Sequence, residues 1–324
     1  MHKKRFRDIT TQFSHKKVLV VGDLMLDTYV WGQSDRISPE APVPVIHINK
    51  VEHRPGGAAN VALNLSSLGC DVTIIGVIGS DSEGKILVDR LNQQKITCTS
   101  VVVSNQRPTT VKSRIMAQNQ HVVRTDRESN TDLSEKSNTM ILDAVSQNLD
   151  KVDAIILQDY NKGVLNKFSI ENLIQISNNK AKPIYVDPKK DNFNRYKNIR
   201  LFKPNLIEFQ TAIGEAGSIE MAGFKLKNKI NAELLLITRG ADGVSLFKES
   251  DYHKIPTQAR LVHDVSGAGD TVIATFTLSD LCGASPEESA VLSNYAAGRV
   301  CEEAGVVNIT MKMLNEMFEH HNSI

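Results

Sequence analysis

The chain has 324 residues, room for one large α/β domain or two small ones, and its 38 Lys+Arg against 37 Asp+Glu leave a net charge of +1. Such a balance supplies no field for nucleic acid or an anionic membrane surface, and no apolar stretch approaches the ~18 residues of a membrane span. The basic start, Met1 to Asp8, leads into polar Thr10, Thr11 and Gln12 instead of an apolar signal core, so the expected location is the cytoplasm. Cys70, Cys98, Cys282 and Cys301 lie far apart with no Cys-x-x-Cys pair and read as buried structural thiols, not a zinc or redox site.

In chain order, Val18–Val21 reads as a buried strand, Ala58–Leu68 as a helix with Val61, Leu65 and Leu68 on one face, and Val72–Ile75 as the next strand. Ala154–Leu157, Ile184–Val186 and Leu234–Ile237 repeat the pattern, and Thr310–His320 predicts a final helix. Strands alternating with amphipathic helices predict an α/β fold around a mainly parallel sheet. Asp159, Asp187 and Thr238 stand at or just past strand C-terminal ends, where open α/β sheets bind ligands. Two segments break the alternation. Residues 29–54, with Pro39, Pro42 and Pro44, and residues 101–127, with period-two Thr110–Ile115 and His121–Thr125, read together as a small β-sheet lid. Absence of repeats and low-complexity linkers predicts a single domain over residues 1–324.

The chemistry concentrates in Asp264-Val-Ser-Gly-Ala-Gly-Asp-Thr271, which runs into the apolar helix pattern Val272–Phe276. Small residues Gly267, Ala268 and Gly269 let an anionic group approach the free N–H groups of a helix first turn, where the dipole also favours negative charge. Asp270, beside that anion, suits one catalytic role, accepting the proton of an attacking hydroxyl. The plainer alternative is a helix start in which the glycines serve backbone geometry and Asp270 complements the dipole.

Asp264–Asp270 resembles the C-terminal signature of the ribokinase-like (PfkB) sugar kinases, and Gly56-Gly57-Ala58-Ala59-Asn60 resembles their N-terminal glycine signature. Lys203-Pro-Asn-Leu-Ile-Glu208 is similar to the family's Asn-x-x-Glu motif, and Thr238-Arg-Gly-Ala-Asp-Gly243 to its nucleotide loop. Within that family, Gly22-Asp23-Leu-Met-Leu-Asp27, Arg36–Pro44, Gln118-Asn119-Gln120 and Asp187-Pro-Lys189 resemble the bacterial D-glycero-β-D-manno-heptose 7-phosphate kinases. The resemblance implies the three-layer α/β/α form of the fold, ATP and Mg²⁺ as cofactors, phosphorylation of the anomeric hydroxyl to a 1,7-bisphosphate on the way to ADP-heptose and the lipopolysaccharide inner core, and a homodimer paired through the lid. The adenylyltransferase often fused C-terminally in that group is expected to be absent or carried on another polypeptide, since the chain stops at Ile324.

The implied site follows residue by residue. Asp270 is the base, with Gly267, Ala268 and Gly269 as the anion hole. Asn205 and Glu208, three apart and so on one helical face, would hold hydrated Mg²⁺ near the phosphates, although the same pair can be a helix cap and its box partner. Leu206, Ile207, Thr238, Gly240, Gly243 and Asn294 would border the nucleotide, adenine lying near Asn294. Asp23, Asp27, Gly56, Gly57, Asn60, Gln118 and Asp159 would hold the sugar. Arg114, Lys162 and Lys189, from a wider set with Lys112 and Arg124, are the cations expected at the 7-phosphate. An apolar strip of Val43, Val45, Ile46 and Ile48 offers a dimer face.

Two departures from the family pattern stand out: Val265 in place of the common Thr, and Ala58-Ala59 where other small or polar residues are frequent. A same-fold kinase for another sugar, sugar phosphate or nucleoside would share every ATP-side motif. A nicotinamide dehydrogenase is excluded, because Gly22-Asp23-Leu24 follows the first strand where Gly-x-Gly-x-x-Gly is required. A non-catalytic sugar sensor would have no use for Asp270 together with both metal-side residues. The nine histidines show no metal-ligand spacing.

Overall fold

The computed structural model describes residues 1–118, 120–214, 217–257, 264–303 and 305–321; Asn119 of the predicted sugar motif lies outside them. Alternation along the first strand, Lys17–Gly22, explains the layering. Val18 and Val20 enter one core with helices Ala58–Ser67, Ala268–Leu281 and Pro286–Cys301. Leu19 and Val21 enter the opposite core with helices Glu135–Leu149, Lys167–Asn179 and Ile219–Lys229. A strand covered on both faces has no solvated side, which is why these runs are apolar throughout.

The main sheet has eight strands, in the order Asp251–Ile255, Val244–Lys248, Ala232–Thr238, Ile199–Phe202, Ile184–Asp187, Ala154–Gln158, Lys17–Gly22 and Asp71–Ile75. The last six are parallel, and the first two close that edge as antiparallel ribbons. From Lys17–Gly22 the chain moves outward to Asp71–Ile75, whereas from Ala154–Gln158 it builds in the other direction. The strand order therefore reverses between these two neighbours, and a crevice opens above their C-terminal ends.

A second sheet of four strands stands off that crevice as the lid: Pro44–Gly57, Leu24–Ile37, Thr110–Ala117 and Gln120–Arg127. Its strands run further than the predicted 29–54, because Leu24 already pairs with Gly57. Pro55 is accommodated because its strand is the sheet edge, where a missing N–H costs no ladder bond. Residues 101–109 do not join the lid. Val102–Ser104 pairs in parallel with Val77–Gly79 after the intervening helix Ser82–Gln93, a strand–helix–strand crossover. The final helix is Met311–His321, and its Phe318 stacks on Phe6 of the first helix at 4.2 Å. All four cysteines are free thiols, and among the described residues no helix is long and apolar enough to cross a membrane.

Candidate active site

Asp270 enters the crevice from the first turn of helix Ala268–Leu281 and is 5% exposed. Its Oδ2 accepts from Asn60 Nδ2 at 2.7 Å, and its Oδ1 accepts from Tyr160 Oη at 3.0 Å and Gln158 Nε2 at 3.1 Å. Burial pushes its carboxyl up to about 7; Asp187 adds to that push, while Asn60, Tyr160 and Lys203 oppose it. A group at that value ionises near neutrality, as a general base needs. Gly267 takes the left-handed φ of +81°, and a Cβ there would stand 2.9 Å from Asn60 Nδ2, so a side chain would push away the amide that holds Asp270. The N–H of Ala268 is occupied by the Val265 carbonyl at 3.2 Å. Of the three predicted anion-hole residues, Gly267 and Gly269 thus have N–H groups without an acceptor among the described residues.

A cleft of about 890 Å³ opens on the far side of Asp270, between the Asn205 helix start and the Thr238–Gly243 loop. Asn205 and Glu208 form the reciprocal cap that sequence spacing allowed: Glu208 N–H donates to Asn205 Oδ1 at 2.8 Å, and Asn205 N–H to Glu208 Oε2 at 2.9 Å. The other oxygen of Glu208 pairs with Lys189. Both side chains line the cleft, but among the described residues no cluster of three or more acids, histidines or cysteines exists to ligate a metal directly. The donor set fits an ion held through water against nucleotide phosphates, the usual habit of Mg²⁺. Thr238 N–H bonds the Pro204 carbonyl, joining the two motifs, and Gly243 has φ +80° with the Ile255 carbonyl 2.1 Å from where a Cβ would stand. Asn294 lines the cleft, with its amide donating to the Pro256 carbonyl at 2.7 Å. Leu206 and Ile207 complete that wall.

On the lid side Asp27 pairs with Arg114, and Gly56 leaves the space Asp27 occupies: a Cβ there would meet Asp27 Oδ2 at 2.2 Å. Gly57, at φ +59°, brings the Asn60 helix in under the Asp23 carbonyl. The Tyr29 ring has two guanidinium groups near it, Arg54 at 5.0 Å and Arg114 at 5.2 Å from its centroid. Arg54 also donates to the Val306 carbonyl at 2.8 Å, and Val306 borders Gly267.

Several expected sugar contacts have other partners. Asp23 is 1% exposed, and its carboxylate accepts the backbone N–H groups of Tyr160, Lys162 and Val164, so it organises that loop. Asp159, also 1% exposed, accepts from Asn161 N–H, Asn192 and Tyr196; burial raises its carboxyl to about 6. Gln118 sits at the lid tip, donating to the Ser34 carbonyl at 3.4 Å and bonded through its N–H to Gly32. Gly32 lies five residue steps along the strand from Asp27, about 17 Å. Lys162 is bound to Glu128 and Asn130, and Lys189 lies in the cleft above the Tyr160 ring instead of under the lid. Lys112 and Arg124 are likewise paired, to Asp126.

Motif and spacing do not single out Gln158, Tyr160, Lys203 or Arg54 as site residues. A signal existed for Gln158, since it ends a strand beside Asp187. For Lys203, 2% exposed and paired with Asp187 at 3.0 Å, the signal was a lysine next to the Asn205 motif.

Residues 15–312 match the pfkB family of carbohydrate kinases. The chain belongs to that family. This pfkB-family chain is 39% identical over 320 residues to the bifunctional protein HldE of Coxiella burnetii, covering 96% of this chain and 66% of that protein. It is 40% identical over 303 residues to the HldE of Yersinia enterocolitica, covering 92% and 62%. It therefore spans 62–66% of these two relatives' length. The fold is that of Escherichia coli phosphofructokinase-2 in complex with potassium (TM-score 0.77, 17% identity, covering 95% of this chain and 99% of that one). It is also that of Arabidopsis thaliana ribokinase complexed with ribose and ATP (TM-score 0.72, 18% identity, covering 94% and 99%).

Proposed function

We propose that this chain transfers the γ-phosphoryl group of ATP to the anomeric hydroxyl of D-glycero-β-D-manno-heptose 7-phosphate, giving the 1,7-bisphosphate and ADP. The observation that carries the reading is Asp270: a buried carboxylate, held by three neutral donors, beside helix N–H groups that face no acceptor among the described residues. The motifs shared with the heptose kinases, together with the HldE relatives, support the choice of sugar.

In this reading ATP occupies the cleft along Thr238–Gly243, with adenine toward Asn294. Asn205 and Glu208 would hold Mg²⁺ through water, and the ion, when bound, would supply charge neutralisation on the nucleotide phosphates. The sugar lies between Gly56-Gly57 and the lid, within reach of Asp27 and Asn60. Asp270 Oδ2, which accepts one protein hydrogen bond against two at Oδ1, takes the proton of the anomeric hydroxyl. The freed oxygen forms the new P–O bond as the bond to ADP breaks. Gly267 and Gly269 N–H groups and the Lys203 ammonium meet the developing charge, and the proton leaves Asp270 for solvent after release.

Arg54 and Arg114, paired with Glu52 and Asp27 but both over the Tyr29 ring on the lid side of the crevice, are the cations best placed for the acceptor's phosphate. Arg54→Gln or Arg114→Gln should raise the KM for the phosphorylated acceptor by about 10–100-fold, the loss of one charge-assisted hydrogen bond, with kcat and the KM for ATP little changed. The lid's outward face carries exposed Val43, Ile48 and Val51, at 51%, 61% and 49%, which supports pairing of two copies through the lid.

The test is coupled ADP release with Mg-ATP against heptose 7-phosphate, fructose 6-phosphate, ribose and adenosine. Preference for the heptose phosphate, lost in Asp270→Asn, upholds the reading. Turnover of another acceptor overturns the sugar assignment, and unchanged turnover in the variant overturns the base.

A further inference from the structure

Gln158 is the last residue of strand Ala154–Gln158, at the point where the strand order reverses, in register with Gly22 on one side and Asp187 on the other. It is 1% exposed, and its one amide nitrogen reaches two carboxylates: Asp187 Oδ2 at 3.0 Å and Asp270 Oδ1 at 3.1 Å. The same Asp187 oxygen holds Lys203 Nζ at 3.0 Å. The amide oxygen of Gln158 is buried and has no donor among the described residues. With the amide reversed, that oxygen would face two carboxylates, so its orientation is determined by the acids it serves. Glycine at position 22 is part of the same arrangement, since a Cβ there would stand 2.0 Å from the Gln158 carbonyl oxygen.

We propose that Gln158 is the positioning residue of this site, tying the base Asp270 to the Asp187–Lys203 pair through a single amide so that Oδ1 is anchored and Oδ2 is turned to the acceptor hydroxyl. This rests on Asp270 being the base. Gln158 and Tyr160 together hold Oδ1, while Asn60 approaches Oδ2 from the other wall. The ionisable groups facing Asp270 are Asp187 from the neighbouring strand, Lys203 from the segment after the next strand, and Tyr160 and Lys189 from the loops, with Glu208 behind Lys189. Helix Ala58–Ser67 presents only the amides of Asn60 and Asn64. A hydrogen bond to the charged form of a carboxylate favours ionisation, and the Gln158 amide is the donor that two neighbouring acids share.

Gln158→Met keeps the length of the side chain and removes the amide. We expect kcat to fall about 10–100-fold, with the acid limb of the kcat–pH profile displaced upward by about one unit and the KM for ATP little changed. Gln158→Glu keeps the shape and adds a third acid; its limb should move further in the same direction, and it decides the matter if the Met variant does not fold. An acid limb that stays where it is in the folded variants, whatever the rate, overturns the positioning role, because a purely structural loss lowers the active fraction without moving the limb. Asp270→Asn in the same assay separates the two claims. If it keeps turnover, the base assignment fails and the positioning role with it; if it is inactive while the Gln158 limbs do not move, only the positioning role fails.

Discussion

Asp270→Asn should give a folded protein that binds nucleotide with turnover lower by ~10²–10⁴, the usual cost of losing a general base. The amide is isosteric and can still present its oxygen to Asn60 or to Gln158 and Tyr160, so the packing of the first turn is preserved, while no group remains to take the hydroxyl proton. The wild-type rate should rise with pH through about 7, where burial has placed the Asp270 carboxyl, and level off above it. The variant's residual rate should show no such limb. Stability runs the other way. A folded-state value raised from 3.8 means that the folded protein holds the proton more tightly than the unfolded chain, so the stabilisation is fully present below about pH 4 and is lost as pH rises through about 7. At pH 8 the Asn variant, which has no buried charge to desolvate, should therefore be more stable than wild type by about 1–3 kcal/mol. Parallel denaturant titrations and rate–pH profiles check both halves, and wild-type-like kcat in the variant would remove Asp270 from its role.

Asp23→Ala should lower stability by about 3–5 kcal/mol, because three backbone N–H groups lose their shared acceptor inside the protein and each unsatisfied donor costs about 1–3 kcal/mol. The bonds lost are those from Tyr160 at 2.8 Å, Lys162 at 3.1 Å and Val164 at 3.1 Å. Tyr160 is among them, so the loop that brings a phenol to Asp270 loses its anchor and activity falls together with stability. Asp23→Asn restores an acceptor oxygen at the cost of placing an NH₂ against donors, and should fall between the two. Chemical denaturation of both variants is the check. An Ala variant within about 1 kcal/mol of wild type would show that water satisfies the loop equally well.

Local features of this protein are legible in the sequence because their causes are local. Short apolar runs such as Val18–Val21 bury both faces of a strand whatever they pack against. The small residues before Asp270 open a helix start by their own lack of bulk, and Asn205 and Glu208 meet because they stand three apart on one turn. Strand ends were also visible, which located the crevice to within a residue. One residue step matters there: Gln158 reaches Asp270 while the next residue, Asp159, is held by Tyr196, as expected where successive side chains point to opposite faces.

Partnership between distant segments was not legible. Asp23 and Asp159 are acids at a ligand-binding edge by sequence, yet backbone N–H groups and buried side chains reach them first. Arg54 and Arg114 meet on Tyr29 only because their strands flank the Leu24–Ile37 strand on either side. Sequence by itself determined the layers, the order of the motifs and the placing of Asp270 in a helix first turn, all set by spacing and short-range sterics. Tertiary structure alone decided which side chains meet at the crevice and which partner each carries there, because that depends on strand register and on contacts between distant residues, such as Asn60 and Asp270, 210 positions apart.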